Sequence, residues 1–358
     1  MSGNTSIVDA TPNFVEGDFG GQDVRLGTMW NARAGLFAAG DFACSQRSAG
    51  ANMSLDIAQG RALVDPQQAT HQGLYVVRRT SGTAYNTSAD GAYTWSAADG
   101  ANPRIDLVCI EVKDTEMDSS GTTGFRFSIV DGTPNAGATH QMETAYWPAV
   151  PTGCLPIAVV RVPAAATTLT TANITNLNPM GGFANPSFYS AAAETTTSAS
   201  YARTTTPAFC FAYCPASSLV HFTAMGKWKT AAAATAGIAV HINGTRWTQT
   251  RQESSPFSTA LEVALGTANF YSTYVTDGTT GGGATAGGYS SVSATGADSS
   301  DGSAQIIGES TGLGSGNATP PLQIRIPTAG WYVFEERYKT SASTLSVDER
   351  HIWLQVMS

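Results

Sequence analysis

Short apolar runs, cut by Gly, Pro, Asn and Asp about every ten residues, constrain this chain most, because that span completes a strand but not an amphipathic helix. Ile105 to Val112 is apolar almost throughout, the pattern of a strand buried on both faces. Asn102-Pro103 stands before it as a turn signal, since proline fixes φ and pushes the preceding residue into extended geometry. Gly121 and Gly124 separate this run from Phe125 to Val130, where apolar and polar residues alternate. Asp131-Gly132 then closes the second strand. The whole segment supplies strands and turns and no evident catalytic group.

The same segmentation divides the chain. Residues 1–50 mix Gly and Asp with apolar residues and read as an arm of short strands, with a short helix near Trp30 to Phe37. Residues 51–178 form a β-rich domain of the sandwich or barrel kind. In it Met53, Leu55 and Ile57 alternate, Gln59-Gly60 turns, Asp90-Gly91 marks a hairpin, and "CLPIAVVRVP" is a buried strand ended by Pro163. "TTANITNL" fits one short helical turn capped by Thr170 or Thr171. Residues 179–206 shift to Gly, Pro, Ser, Thr and Ala and read as a linker. Residues 207–358 form a second β domain, with Asn243-Gly244 as its strongest hairpin signal. Within it, residues 276–317 are rich in Gly and Ser and read as long exposed loops around one strand near Gln305 to Ile307. The expectation is an all-β protein.

Composition narrows the function classes. Only 13% of the 358 residues are charged, against about 25% in typical domains, and Ala, Ser, Thr and 37 glycines take their place. With 42% hydrophobic residues the chain is not of the disordered type, and low charge suits a subunit packed against neighbours. A net charge of −8 without a Lys/Arg run removes the electrostatic basis of nucleic-acid binding. The first residues, "MSGNTSIVDATPNF", have no basic segment followed by an apolar core, and no apolar run approaches the ~20 residues of a membrane span. The expectation is synthesis in a cytoplasm without membrane insertion. Five scattered cysteines, Cys44, Cys109, Cys154, Cys210 and Cys214, do not make a disulfide framework. Cys109 and Cys154 sit in strand-like runs as small buried hydrophobes, and Cys210 with Cys214 lacks the second pair that a structural zinc site wants.

Catalytic patterns are equally sparse. His71, His140, His221, His241 and His351 are dispersed; His221 and His241 are a weak metal pair, without nearby carboxylates. Asp348, Glu349 and His351 fit a solvated strand face or an ion pair between subunits. Glu335 and Glu336, adjacent in a strand, point to opposite faces and cannot act as a glycosidase pair. Asp298 and Asp301 lack the remaining ligands of a calcium loop. No catalytic residue, metal ligand or cofactor is assigned, and the chain reads as a non-enzyme. Trp228, Trp247, Tyr271, Tyr274, Trp331, Tyr332 and Trp353 crowd the second domain. Most suit a core; Trp228, Trp247, Tyr271 and Tyr274 are the candidates for a platform that meets a sugar or a protein.

Residues 50 to 180 carry a resemblance. Gly60, Ala62 and Val64, Gly73 with Tyr75, Asn102, Pro103, Arg104, Asp106 and Val108, the turn Val130 to Pro134, and Leu155, Pro156, Ala158, Val162 and Pro163 together resemble minor tail and baseplate-associated proteins of long-tailed bacteriophages of actinobacteria and other Gram-positive hosts. From Pro207 on, "PTAGWYVFEERYKT" before a last strand is similar to the jelly-roll heads of phage fibre ends and of C1q/TNF-like trimers. The resemblance implies an N-terminal docking arm and virion-attachment domain, a C-terminal jelly-roll, a homotrimer, and a place at the tail tip or baseplate of the virion. It implies other virion proteins and a host-surface glycan or protein as partners, with receptor binding as the role. Asn102, Pro103, Arg104 and Asp106 become candidates for an assembly interface. Arg104 and Asp106, two apart on one side of a strand, serve either an ion pair within the sheet or a contact with a neighbour. The alternatives are a capsid or collar decoration without a receptor role, and a tail-tip glycan depolymerase.

Overall fold

The computed structural model describes residues 33–66, 73–79, 85–86, 95–115, 119, 121, 123–181, 185–230, 234–246, 248–250, 256–258, 260–265, 270–273, 322–340 and 344–357. The chain is all-β, with every named strand pair antiparallel. It divides into two compact units, Met1–Ala184 and Asn185–Ser358.

The first unit contains β1 (Gly35–Leu36), β2 (Cys44–Gln46), β3 (Leu55–Ile57), β4 (Gly60–Val64), β5 (Tyr75–Arg79), β6 (Tyr85–Asn86), β7 (Arg104–Lys113), β8 (Gly124–Val130), β9 (Cys154–Val162) and β10 (Ile174–Asn176). They form three sheets, ordered β10-β9-β7-β8, β1-β4-β5 and β2-β3-β6. The apolar run of β7 is buried from Arg104 to Ile110 because β7 lies between β8 and β9. The register of β7 against β9 shifts between Val108 and Cys109, where Cys109 faces Pro156; a proline has no N–H to give the ladder, and a bulge accommodates it. The short helical turn expected after β9 is present as a 3-10 turn at Thr171–Asn173 with Thr170 as its N-cap, the Thr170 N–H donating to Asn173 Oδ1 at 2.9 Å.

Two expectations for the N-terminal third are corrected. Gly35–Leu36 is a strand paired with Ala62 and Leu63, so no helix occupies the described end of the Trp30 to Phe37 stretch. Nor do residues 33–50 stand apart as an arm. Phe42 is fully buried, its ring 5.6 Å from Phe127 and 6.4 Å from Phe125, and it belongs to the core of the first unit. Backbone approach explains the lost helix. Gly35 has φ +149°, and a Cβ placed there falls 2.5 Å from the Gly181 nitrogen. Gly35→Ala is therefore expected to lower stability by about 1–3 kcal/mol, read as a smaller denaturant midpoint in urea unfolding of the full chain.

The second unit contains β11 (Ser187–Ser190), β12 (Glu194–Thr196), β13 (Ala208–Cys214), β14 (Ser218–Thr230), β15 (Ala234–Ile242), β16 (Thr245–Arg246), β17 (Thr248–Thr250), β18 (Pro256–Ser258), β19 (Ala260–Leu265), β20 (Phe270–Thr273), β21 (Leu322–Ile326), β22 (Gly330–Thr340) and β23 (Leu345–Met357). One sheet runs β11-β23-β14-β20, with β12 on β23 and β21 on β14; the other runs β13-β22-β15-β16, with β19 on β15. Their facing sides share one core, including Cys210, Val220, Phe222, Val240, Ile324, Phe334, Leu345, Ile352 and Leu354. Consecutive strands β13, β14 and β15 alternate between the sheets, and the last two strands insert between earlier ones: β22 between β13 and β15, β23 between β11 and β14. Asn243 and Gly244 turn β15 into β16 with φ of +47° and +78°, the two left-handed positions of a type I′ hairpin.

Part of the expected linker is sheet: Ser187–Ser190 and Glu194–Thr196 both pair with β23. The boundary between the units falls within the 179–206 stretch, but most of that stretch belongs to the second unit. The expected hairpin at Asp90-Gly91 and the Gly/Ser-rich loops at 276–317 lie outside the described residues.

Candidate functional site

The four residues of the expected assembly interface are occupied inside the first unit. The Asn102 N–H donates to Asp99 Oδ1 at 2.7 Å, and the Pro103 carbonyl accepts from the Asn135 N–H at 2.8 Å. Two backbone N–H groups, those of Asn102 and Ala101, hold the Asp99 carboxyl below its usual range. Arg104 and Asp106 are 4% and 0% exposed. Arg104 Nε donates to Asp106 Oδ1 at 3.0 Å, and its other nitrogens donate to the carbonyls of Ala97 and Ser96 and to Ser96 Oγ. Asp106 also accepts from Trp95 Nε1 at 2.9 Å and from the Gly132 N–H at 2.8 Å. Burial pushes the Asp106 carboxyl up, against the downward pull of Gly132 and Arg104. Of the two uses open to Arg104 and Asp106, the structure forms the ion pair within the sheet, with both side chains buried in the chain, while Asn102 and Pro103 remain half-buried. Removing one partner strands a buried charge. Asp106→Ala is expected to cost about 3–5 kcal/mol, measured as loss of urea stability of the full chain, while Asp99→Ala on the exposed loop is expected to leave that stability nearly unchanged.

The aromatic candidates fare differently. Trp228 lies in β14 and Tyr271 in β20, on neighbouring strands, but the register pairs Trp228 with Phe270 and Tyr271 with Lys227. Trp247 and Tyr274 lie outside the described residues, as do Asp298 and Asp301. His221 and His241 belong to different sheets, on β14 and β15. Among the described residues no group of three or more His, Cys, Asp or Glu is placed to hold a metal ion. The two adjacent glutamates of β22 part as expected. Glu335 is held by Arg203 Nε at 2.7 Å and Arg337 Nε at 2.8 Å. Glu336 faces the core and accepts from the Tyr338 hydroxyl. None of the five cysteines is in a disulfide, and all are buried; burial pushes the Cys44 thiol up to about 12 and the Cys154 thiol up to about 11, so they pack as apolar groups.

The surface feature that stands out was not singled out in the sequence as a unit. In β23, Ile352, Leu354 and Val356 turn into the core, and the alternate residues turn outward. The His351 ring lies 5.2 Å from Trp353, inclined by 24°, and 4.2 Å from Tyr189 of β11. Tyr189 and His351 are register partners. Tyr189 is 61% exposed and Trp353 38%. Three rings thus form a continuous ladder on the outer face of one sheet. Exposed aromatic area of this kind is what an interface buries, since rings supply large apolar area at low entropic cost. The alternation in "HIWLQ" was the available signal for His351 and Trp353. Tyr189 had none, because its segment read as a linker.

No family model matches the chain, and no curated protein matches it. Among solved structures the chain aligns with the functional form of the mosquito-larvicidal Cry4Aa toxin from Bacillus thuringiensis, at 8% identity and a TM-score of 0.21, over 92% of this chain and 52% of the toxin. The chain spans about half the length of that toxin, and likeness at this level carries no argument about fold or function. No described helix is long and apolar enough to cross a membrane.

Proposed function

We propose that this chain is a non-enzymatic structural protein of a bacteriophage virion, a minor tail or baseplate protein whose second unit is a homotrimeric jelly-roll head that meets the host surface. The observation that carries the reading is the aromatic ladder of Tyr189, His351 and Trp353, set on the outer face of a sandwich whose last two strands insert between earlier ones. Such insertion is compatible with the wrapping of a jelly-roll, the fold that the resemblance of residues 207–358 implies. A solvated ladder leaves apolar area in water; three copies placed ladder to axis remove it, and closed cyclic symmetry lets every copy use the same patch. The first unit, with its ion pair buried and its loops tied by hydrogen bonds, suits a rigid attachment module. Receptor contact then falls to surfaces away from the ladder, and three weak sites on one axis raise effective affinity by avidity.

The commitment of Glu335 to Arg203 and Arg337, and of Glu336 to Tyr338, favours this reading over a depolymerase, which needs two carboxyls free to face a sugar.

The test is the mass of the full chain in solution together with its binding to a panel of actinobacterial and other Gram-positive cells. The wild-type protein is expected to be a trimer that binds one of these hosts saturably. Trp353→Asp is expected to fall to single chains and to bind at least about 100-fold more weakly as avidity is lost. A wild-type monomer would remove the trimer, and a trimer that binds no member of the panel would point to a decoration protein instead.

A further inference from the structure

Among the described residues β13 is the longest strand that ends a sheet of the second unit, with seven residues against four for β11 and two for β16. It pairs with β22 in an unbroken register, from Ala208 opposite Glu336 to Cys214 opposite Gly330. The direction of its backbone groups follows from β22. Tyr338 exchanges two hydrogen bonds with Ala202, at 2.8 and 2.9 Å, on the side of β22 away from β15. On the β15 side the Val333 carbonyl accepts from the Asn243 N–H at 3.0 Å. Successive residues of a strand alternate in this respect, so Tyr332, Phe334 and Glu336 bond Ala212, Cys210 and Ala208. The N–H and C=O groups of Phe209, Phe211 and Tyr213 therefore point away from β22, out of the edge of the sheet. Among the described residues nothing bonds those of Phe209 and Tyr213.

Edge strands are usually blunted by a charge, a proline, a bulge or sheer shortness. The sequence of β13, "AFCFAYC", has none of these, and Pro207 and Pro215 stand only at its ends. Its side chains part into two rows. Ala208, Cys210, Ala212 and Cys214 face the core, and Phe209, Phe211 and Tyr213 turn to the opposite face of the sheet. There the Trp331 ring stacks on Phe211 at 5.1 Å, inclined by 12°, and meets Tyr213 edge-on at 5.5 Å. Phe209, Tyr213 and Trp331 are half-buried. A row of rings thus runs beside the outward backbone groups.

We propose that β13 is a docking edge for an extended polypeptide segment of another protein, which adds to the sheet as an antiparallel strand. The edge presents a donor and an acceptor on every second residue, a repeat that an extended backbone matches and a glycan does not. In such strand addition the main-chain bonds supply affinity and the neighbouring side chains select the partner. Partner residues opposite Phe209, Phe211 and Tyr213 share the face of the rings. The segment therefore carries apolar side chains at alternate positions and makes its hydrogen bonds through those same residues. The ladder lies on the other sheet of the sandwich, so docking at β13 leaves the surface assigned to assembly untouched. The inference names the kind of partner the second unit takes, and it rests on the reading above only in making that partner a host-surface protein.

The test titrates the peptide acetyl-KTFTVTFTK-amide onto the full wild-type chain by calorimetry and follows amide hydrogen exchange in parallel. The peptide is expected to bind saturably. N-methylation of its Phe and Val amides is expected to weaken it at least about tenfold, and N-methylation of the Thr amides between them to leave it unchanged. The Phe209 and Tyr213 amides are expected to exchange fast in the free chain and at least about tenfold more slowly with saturating peptide. Those of Cys210 and Ala212, bonded to β22, are expected to stay protected throughout. Tyr213→Pro removes an outward donor and spares the ladder with β22, and it is expected to weaken the peptide as the first methylation does. Phe209 and Tyr213 amides as protected as Cys210 in the free chain overturn the proposal, as does equal affinity for the two methylated peptides. Both are read in the wild-type chain, so they hold if Tyr213→Pro fails to fold. A chain that does not take the peptide overturns it too, and binding of N-acetylglucosamine oligomers in its place would give the rings to a sugar. Peptide binding by a chain that ignores every host of the panel supports the docking edge and counts against its use at a host surface.

Discussion

The register of β23 against β14 decides which side chains the second unit hides and which it offers. Phe222 faces Leu354 and Ala224 faces Ile352, so the apolar positions of β23 close the core while His351 and Trp353 stay outside. A slip of one residue would exchange the two sets. The register shifts between Met225 and Lys227, and the phase of β23 changes with it. Leu345 and Val347 are buried on one side of the shift, Arg350 and Ile352 on the other. That change of phase is what sends a cation into the core. One strand therefore seals the sandwich, carries the ladder and, through Arg350, holds Thr204 and Thr206.

Much of this architecture was legible because its causes are local. The apolar run of β7, the alternation of β8, the proline ending β9 and the Asn243-Gly244 hairpin each follow from neighbours a few residues away. The errors sit where the deciding partner is distant. Ser187–Ser190 is only four residues long within a Ser/Thr/Ala-rich stretch, and its strand state comes from β23. Gly35 is extended because its backbone meets Gly181, which no local pattern announces. The spacing of Arg104 and Asp106 was readable, but the choice between their two uses depended on Trp95, Ser96, Ala97 and Gly132. The ladder shared this difficulty, since Tyr189 joins His351 and Trp353 only through strand pairing.

Arginine has the same structural use in both units. Arg104 reaches the carbonyls of Ser96 and Ala97, Arg161 that of Ala138, and Arg350 that of Thr206. A guanidinium carries five donors in a fixed fork, so one side chain can answer carbonyls that loops leave without a ladder partner. In a chain with 13% charged residues, several of the few cations are thus spent on scaffold.

The central claim is that the face bearing the ladder is buried against other copies of the chain. Oxidative footprinting of Trp353 measures this directly, in the full wild-type chain and in Tyr189→Asp at the same concentration. The account predicts that Trp353 resists oxidation in the wild type and reacts readily in the variant, where a charge beside it keeps the copies apart. Equal and ready oxidation in both proteins would contradict it, because the ladder would then face water in the native state.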